Sequence, residues 1–406
     1  MDRRELLAAA GIGGLVAGGA AGFGIAQLVD DEEEQPGANG APAEATGLPS
    51  GKNEDNFVVH GESPYTIETR REALGTAPLT ASELVFIRQN LELPDPSILD
   101  DRDGWTFRVE GVANEQELTV RDLKRLGIAS EASVLQCSGN GRGFFEHDPS
   151  GSQWEVGACA NVIWTGVPVS VVAEELGGVA DGMQFLTARG GDPLPEDVDE
   201  LEAVVERSVP IEKGLEDCLL AWEMNGEPTP LAHGGPLRLI VPGYYGINNV
   251  KFVERLAFTE EESPADIQQT GYRVRPIGVD GAPDQPTMWR MGVKSFVTTP
   301  SGEESVPPGP VRVFAVAFSG ERSIDRLEVS TDGGESWEEA EPYGPDLGPS
   351  AWRRYSYAFD AEDGEYVIAT RATDDEGDTQ PELRMENHRG YGHNGWRDHA
   401  VTLEVA

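Results

Sequence analysis

Between residues 57 and 272 the apolar positions keep changing period, whereas beyond residue 285 they hold to one. Residues 105–109 alternate apolar and polar side chains, the pattern of a half-buried strand. Residues 119–126 read as a short helix entered through Thr119. Thr80 and Glu83 have the spacing of a capping box and predict another helix start. Residues 132–135 predict a buried strand that delivers the chain to Cys137. A helix is expected at 169–176 and a strand at 183–188. Residues 192–206 read as an acidic insertion on the surface. Residues 237–241 read as a strand stopped by Pro242-Gly243. Short strands and helices without a regular strand–helix repeat predict an α+β domain over 57–272, not a doubly wound sheet.

The C-terminal part, 285–406, has no helix signal. Strands are expected at 311–318, 324–330, 354–359, 366–373 and 401–405, and Asp332-Gly333-Gly334 marks a hairpin turn. Short strands and tight turns over this length predict an all-β, immunoglobulin-like sandwich.

The N-terminus belongs to neither pattern. Arg3-Arg4 precedes a weakly apolar, Ala/Gly-rich stretch, so residues 1–29 read as a twin-arginine export signal. Whether the segment is cleaved or kept as a membrane anchor stays open. Export would place the protein at the outer face of the membrane or in the extracytoplasmic space. Residues 30–56 are acidic and then rich in Gly, Pro and Ala, a linker without the apolar content for a core.

Charge changes the picture. Seventy-two acidic residues against 31 basic ones give a formal net charge of −41. Only five of the basic residues are lysines (52, 124, 213, 251 and 294). Acidic excess along the whole chain, with scarce lysine, points to a halophilic setting, where salt screens self-repulsion. Such a surface excludes nucleic acid as a partner. Three cysteines without C-x-x-C spacing exclude a disulfide framework, a structural zinc site and a c-type haem.

The candidate chemistry starts at Cys137. Gln136-Cys137-Ser138-Gly139-Asn140-Gly141-Arg142-Gly143 presents a thiol in a Gly-rich loop, suited to a soft metal. The same spacing is a weak nucleotide loop, because no helix starts cleanly after it. A second set runs from His233 through Arg238 to Asn249 and Lys251, a histidine and two cations able to hold a phosphate and a planar heterocycle.

Several motifs together resemble the sulfite oxidase family of molybdopterin-dependent oxidoreductases. They are Gln136–Asn140, Trp164-Thr165-Gly166-Val167, Glu223-Met224-Asn225-Gly226-Glu227-Pro228, the 233–251 stretch, and Arg371-Ala372-Thr373-Asp374 with Gln380-Pro381. The resemblance runs from about residue 78 to the C-terminus. It implies a molybdopterin-binding catalytic domain followed by an immunoglobulin-like dimerisation domain, and hence a homodimer. It implies the molybdenum–molybdopterin cofactor, with Cys137 as its thiolate ligand. It implies an oxyanion pocket of Arg88, Arg142 and Arg389 with Tyr272, and pterin-phosphate contacts from His233, Arg238, Asn249 and Lys251. The implied reaction is oxidation of sulfite to sulfate. Nothing resembles a haem domain, so the electrons would go to a separate cytochrome or small copper protein. Two alternatives remain. One is the same cofactor acting on nitrate or an S-oxide; the other is a cofactor-free extracellular binding module. The sequence departs from the family at Gln89-Asn90, where Asn-His is usual, and at Trp222, where tyrosine is usual.

Overall fold

The computed structural model describes residues 52–302 and 305–406. The expected export signal and most of the expected linker lie outside them. The folded part begins ahead of residue 57. Lys52 Nζ donates to the carbonyls of Glu83 and Val85 (2.9 and 2.6 Å), and Asn53 caps a single turn, Glu54–Asn56.

Three sheets build the α+β part. A small one pairs Phe57–Glu62, Tyr65–Thr69 and Ile87–Arg88. A second pairs Ala129–Gln136 with Cys159–Pro168, and then Leu219–Met224 with both Arg238–Ile240 and Glu227–Pro228. The third carries Thr106–Glu110 parallel to Val253–Thr259, flanked by Gln116–Thr119, Phe185–Gly190 and Glu206–Pro210. The helices Val120–Leu126 and Val169–Glu175 pack on these sheets through Val120, Leu123, Val169 and Val172, all fully buried. Thr119 caps the first as the sequence predicts: its hydroxyl accepts from the Asp122 amide, while the Asp122 carboxylate accepts from the Thr119 amide at 3.0 Å.

The helix expected at Thr80 is not there. Ser82–Leu84 forms one 3-10 turn capped by Ala81, and the Thr80 hydroxyl accepts instead from the Asn161 amide at 3.0 Å. A cross-chain donor has taken the oxygen a cap would need. The acidic stretch 192–206 also departs from expectation. Residues 193–201 skirt the surface, but Ala203 to Glu206 are buried and lead into the strand Glu206–Pro210.

Two sheets form the C-terminal sandwich. One orders Lys294–Thr299, Gly309–Phe318, Arg353–Ala361 and Glu341–Pro342. The other orders Ser305–Val306, Val401–Val405, Gly364–Asp374, Ile324–Ser330 and Glu338–Glu339. Alternate residues such as Val313, Ala315, Leu327, Val329, Ile368 and Leu403 fill the core between them.

The sandwich does not merely follow the first domain; it is seamed to it. The Val134 amide donates to the Ser350 carbonyl (2.8 Å), and the Trp352 indole donates to the Pro78 carbonyl (3.0 Å). Arg71 donates to the carbonyls of Val297 and His399 (3.0 and 3.1 Å). One apolar cluster draws Val134, Cys159, Tyr245 and Tyr272 together with Phe296, Phe318, Trp352 and Tyr391.

Candidate active site

The strand Ala129–Gln136 ends with Gln136 opposite Cys159, and the chain then leaves the sheet. The Cys137 amide still donates to the Ala158 carbonyl (2.9 Å), but the next turn is closed locally by the Asn140 amide on the Cys137 carbonyl (3.0 Å). Buried Asn140 locks the loop: its Nδ2 donates to Gln136 Oε1, and its Oδ1 accepts from the Ala158 amide, both at 3.1 Å. Gly141 has φ +94°, a conformation open to glycine at little cost, and leads into the 3-10 turn Arg142–Phe144. The result is a half-buried thiol held on a rigid rim.

Cys137 borders a recess open to solvent. Seven of the nine candidate residues line it: Arg88, Cys137, His233, Arg238, Asn249, Lys251 and Tyr272. Segments almost two hundred residues apart meet there, because Ile87–Arg88 pairs onto Tyr65–Thr69 while the turn Leu231–His233 and the strand Arg238–Ile240 close the opposite side. Phe86, Leu135, Val205, Ile247 and Val250 supply apolar wall.

The cations are anchored by neutral oxygens. Arg238 Nε donates to the Asn249 carbonyl (3.0 Å) and its Nη1 to the His233 carbonyl (2.9 Å). Lys251 Nζ donates to the carbonyls of Arg88 (3.0 Å) and Ala232 (2.7 Å) and to Gln89 Oε1 (2.9 Å). Gln89, at the family departure, is thus the residue that orients Lys251. Its neighbour Asn90 sits with Oδ1 3.5 Å from the Tyr272 hydroxyl. The Asn249 side chain is spent on its own loop, accepting from the Val241 amide (2.9 Å) and donating to the Tyr245 carbonyl (3.2 Å). Trp222, the other departure, is buried in the main core of the first domain.

Burial costs these cations part of their proton affinity. It holds Arg238 down to about 9. Lys251 is depressed by burial and by Arg238, only partly offset by Asp192. Asp192 lines the same recess, and burial raises its pKa against the pull of Lys251. His233 is driven well below its ordinary value by burial, then by Lys52 and Lys251, so it is neutral. Such a wall favours an anionic ligand.

Arg142 and Arg389 do not line the recess. Arg142 is buried, donating from Nε to the Arg389 carbonyl (2.9 Å) and from Nη1 to the Ser152 carbonyl (3.2 Å). Arg389 Nη1 donates to Ser150 Oγ at 2.7 Å. The pair reaches the recess through aromatic contacts. The Arg142 guanidinium lies 5.5 Å from the centre of the Tyr391 ring, and Tyr391 stacks on Tyr272 at 5.2 Å and 8°. The Gly392 amide donates to the Ser138 carbonyl at 2.9 Å, so the sandwich tail also holds the cysteine loop.

Asp192, Ser138 and Tyr391 are contributions the sequence reading does not find. Asp192 lies inside what reads as an acidic surface insertion. Only the preceding Gly190-Gly191 hints at a close approach.

Two of the histidines give the fold an acid limit. His399 is buried in the seam, where burial and Lys294 hold it well below its ordinary value, as His233 is held in the recess. Both are neutral in the native state and bind protons once unfolded below about pH 6.5. Stability from these two is therefore complete above that pH and is lost as pH falls. The slope from the pair alone is up to about 2.7 kcal/mol per pH unit. Denaturant unfolding at fixed salt should show this loss between pH 6.5 and 5; a flat profile there would contradict the assignment.

Comparison with known proteins fits this geometry. Residues 92–267 match the family described as oxidoreductase molybdopterin binding domain, and residues 285–404 match the Mo-co oxidoreductase dimerisation domain. The sulfite oxidase of Gallus gallus is 31% identical over 360 residues, covering 83% of this chain and 76% of that protein. The chain belongs to the sulfite oxidase family. The mitochondrial sulfite oxidase of Rattus norvegicus is 29% identical over 366 residues; 86% of this chain matches, but it spans only 65% of the rat protein. Among solved structures, the sulfane dehydrogenase SoxCD of Paracoccus pantotrophus superposes with a TM-score of 0.72 at 26% identity, over 91% of this chain and 96% of that one. As a member of the sulfite oxidase family, the protein is a molybdopterin-dependent oxidoreductase whose cofactor is molybdenum–molybdopterin.

The recess fits that cofactor. It offers a soft thiol, two cations, Arg238 and Lys251, whose hydrogen bonds among the described residues go to neutral oxygens, and a buried Ser138 hydroxyl that lines the wall with no hydrogen-bond partner among the described residues. Cys137 would ligate the metal, and Arg238, Lys251 and His233 would face the pterin phosphate.

Proposed function

We propose that the protein oxidises sulfite to sulfate. Sulfite and water give sulfate, two protons and two electrons. The observation that supports this reading is the placement of Cys137, Arg88 and Tyr272 around one recess beside Arg238 and Lys251, whose hydrogen bonds among the described residues go to neutral oxygens. The bound cofactor supplies oxygen-atom exchange and a two-electron redox couple. The chain supplies the rest. Arg88 offers a forked, permanently charged donor for a small oxyanion, and the Tyr272 hydroxyl offers a second hydrogen bond. Arg142, bonded to the Arg389 carbonyl, packs on Tyr391, which stacks on Tyr272. Apolar side chains such as Phe86 and Ile247 limit water beside the anion, which strengthens each of these contacts.

In this reading the electrons leave to a separate cytochrome or small copper protein. The protein works as a homodimer in salt-rich surroundings outside the cytoplasm. The match to a dimerisation domain supports the dimer, and the twin arginine and the −41 charge support the setting. The test is a substrate screen of molybdenum-loaded protein in concentrated salt, with sulfite, nitrate and an S-oxide run in parallel against artificial electron acceptors or donors. Turnover with sulfite alone is expected. Turnover confined to nitrate or the S-oxide would replace the substrate, and none at all in loaded protein would end the proposal.

A further inference from the structure

Arg207 lies beneath the recess and takes no part in lining it. It sits on the strand Glu206–Pro210, two residues after Val205, which does line it. It is 1% exposed, and its guanidinium is 5.7 Å from the centre of the Tyr272 ring. All of its hydrogen bonds go to neutral oxygens. Nη1 donates to the Ile267 carbonyl, and Nη2 donates to Asn248 Oδ1 and Thr287 Oγ1, both at 3.2 Å. Nε is buried with no hydrogen-bond partner among the described residues.

That charge is not left bare for want of carboxylates. Glu206, the adjacent residue, points to the other side of the strand, where Arg255 Nη1 holds it at 3.0 Å and the Ser263 hydroxyl donates to it. Arg273, the nearest buried arginine, has its own partner in Glu262 at 2.6 Å. Burying a cation with neutral neighbours is expensive, and an apolar side chain of similar length is often no worse for stability. Burial and Arg273 accordingly hold the Arg207 pKa down to about 10. The fold keeps a buried cation whose hydrogen bonds, among the described residues, include none to a carboxylate. The tyrosine ring that its guanidinium faces, Tyr272, lines the recess.

We infer that Arg207 is a positioning residue of the oxyanion site: its charge acts through Tyr272 to hold that ring and to draw a divalent oxyanion into the recess. The inference rests on the proposed function for the identity of the anion. It does not rest on it for the presence of an anion site. At the low effective dielectric of a buried site, a unit charge roughly 10 Å away changes the affinity for an anion by about tenfold.

The test compares molybdenum-loaded wild type with R207M and R207K. Sulfate binding is measured by titration calorimetry at a fixed chloride concentration, beside steady-state sulfite kinetics and thermal unfolding. R207M should bind sulfate about tenfold more weakly, raise KM for sulfite by a similar factor and change kcat by less than about threefold. Its melting temperature should not fall, and R207K should recover most of the affinity. Wild-type sulfate affinity in R207M overturns the inference. So does a lost affinity that lysine fails to restore while the melting temperature drops, because that is the mark of packing alone. If R207M does not fold, R207Q takes its place: unchanged affinity in that variant is equally fatal. Sulfate binding that depends on Arg207 without any sulfite turnover would sink the proposed function and leave the inference standing. Sulfite turnover with an affinity indifferent to residue 207 would do the reverse.

Discussion

Replacing Cys137 by serine yields a folded protein that has lost turnover by at least about 10³-fold, roughly 4 kcal/mol of barrier. The loop around Cys137 is held by main-chain and amide contacts that its side chain does not make: the Ala158 carbonyl, the Asn140 amide and the Gln136 carboxamide. A hydroxyl in place of the thiol changes little volume on a half-buried rim. The lost property is softness, since an alcohol at neutral pH is a poor ligand for a thiolate-seeking metal. Melting temperature should therefore stay close to wild type, while turnover and stoichiometric molybdenum retention are measured together. Activity within tenfold of wild type would remove Cys137 from the ligand role.

The second large effect is structural and lies four residues further on. Gly141→Ala should destabilise the protein by roughly 2–4 kcal/mol. An alanine there must adopt φ +94°, and its Cβ would stand 2.7 Å from the His393 Cβ. His393 cannot easily retreat, because its ring is hydrogen-bonded to both His399 (3.1 Å) and Asp398 (3.0 Å). The strain falls between Cys137 and Arg142, so activity should drop with stability. Thermal unfolding and sulfite kinetics on the same preparation check this. An unchanged melting temperature would mean that the loop and the sandwich tail are not in rigid contact.

Much of the fold was legible because local chemistry decided it. The sandwich strands alternate cleanly, and Thr119 with Asp122 writes a helix start that nothing overrules. Thr80 carries the same local message and fails, since the Asn161 amide reaches its hydroxyl from another part of the chain. The site divides along the same line. Cys137 and the 233–251 set announce themselves by residue type and spacing, Arg88 by the family resemblance, and they do converge. Arg142 and Arg389 carry equally strong motifs but reach the recess only through Tyr391, a connection that no spacing encodes. Arg207 had no signal at all. It is one arginine among 26, and only the burial of its neighbours and the pairing of Glu206 elsewhere single it out.

The cluster that unites Val134, Cys159 and Tyr272 with Phe296, Trp352 and Tyr391 has a bearing on heredity. The two parts look separable in sequence, yet both contribute to one interior, and the tail of the second fastens the cysteine loop of the first. A recombination joint near residue 280 would bring together halves of unrelated interiors and leave the loop unfastened. Exchange between relatives at that point is penalised at once, whereas a change on one side can be answered by a change on the other. The pair should therefore descend as a single gene segment and diversify by matched substitution, not by shuffling.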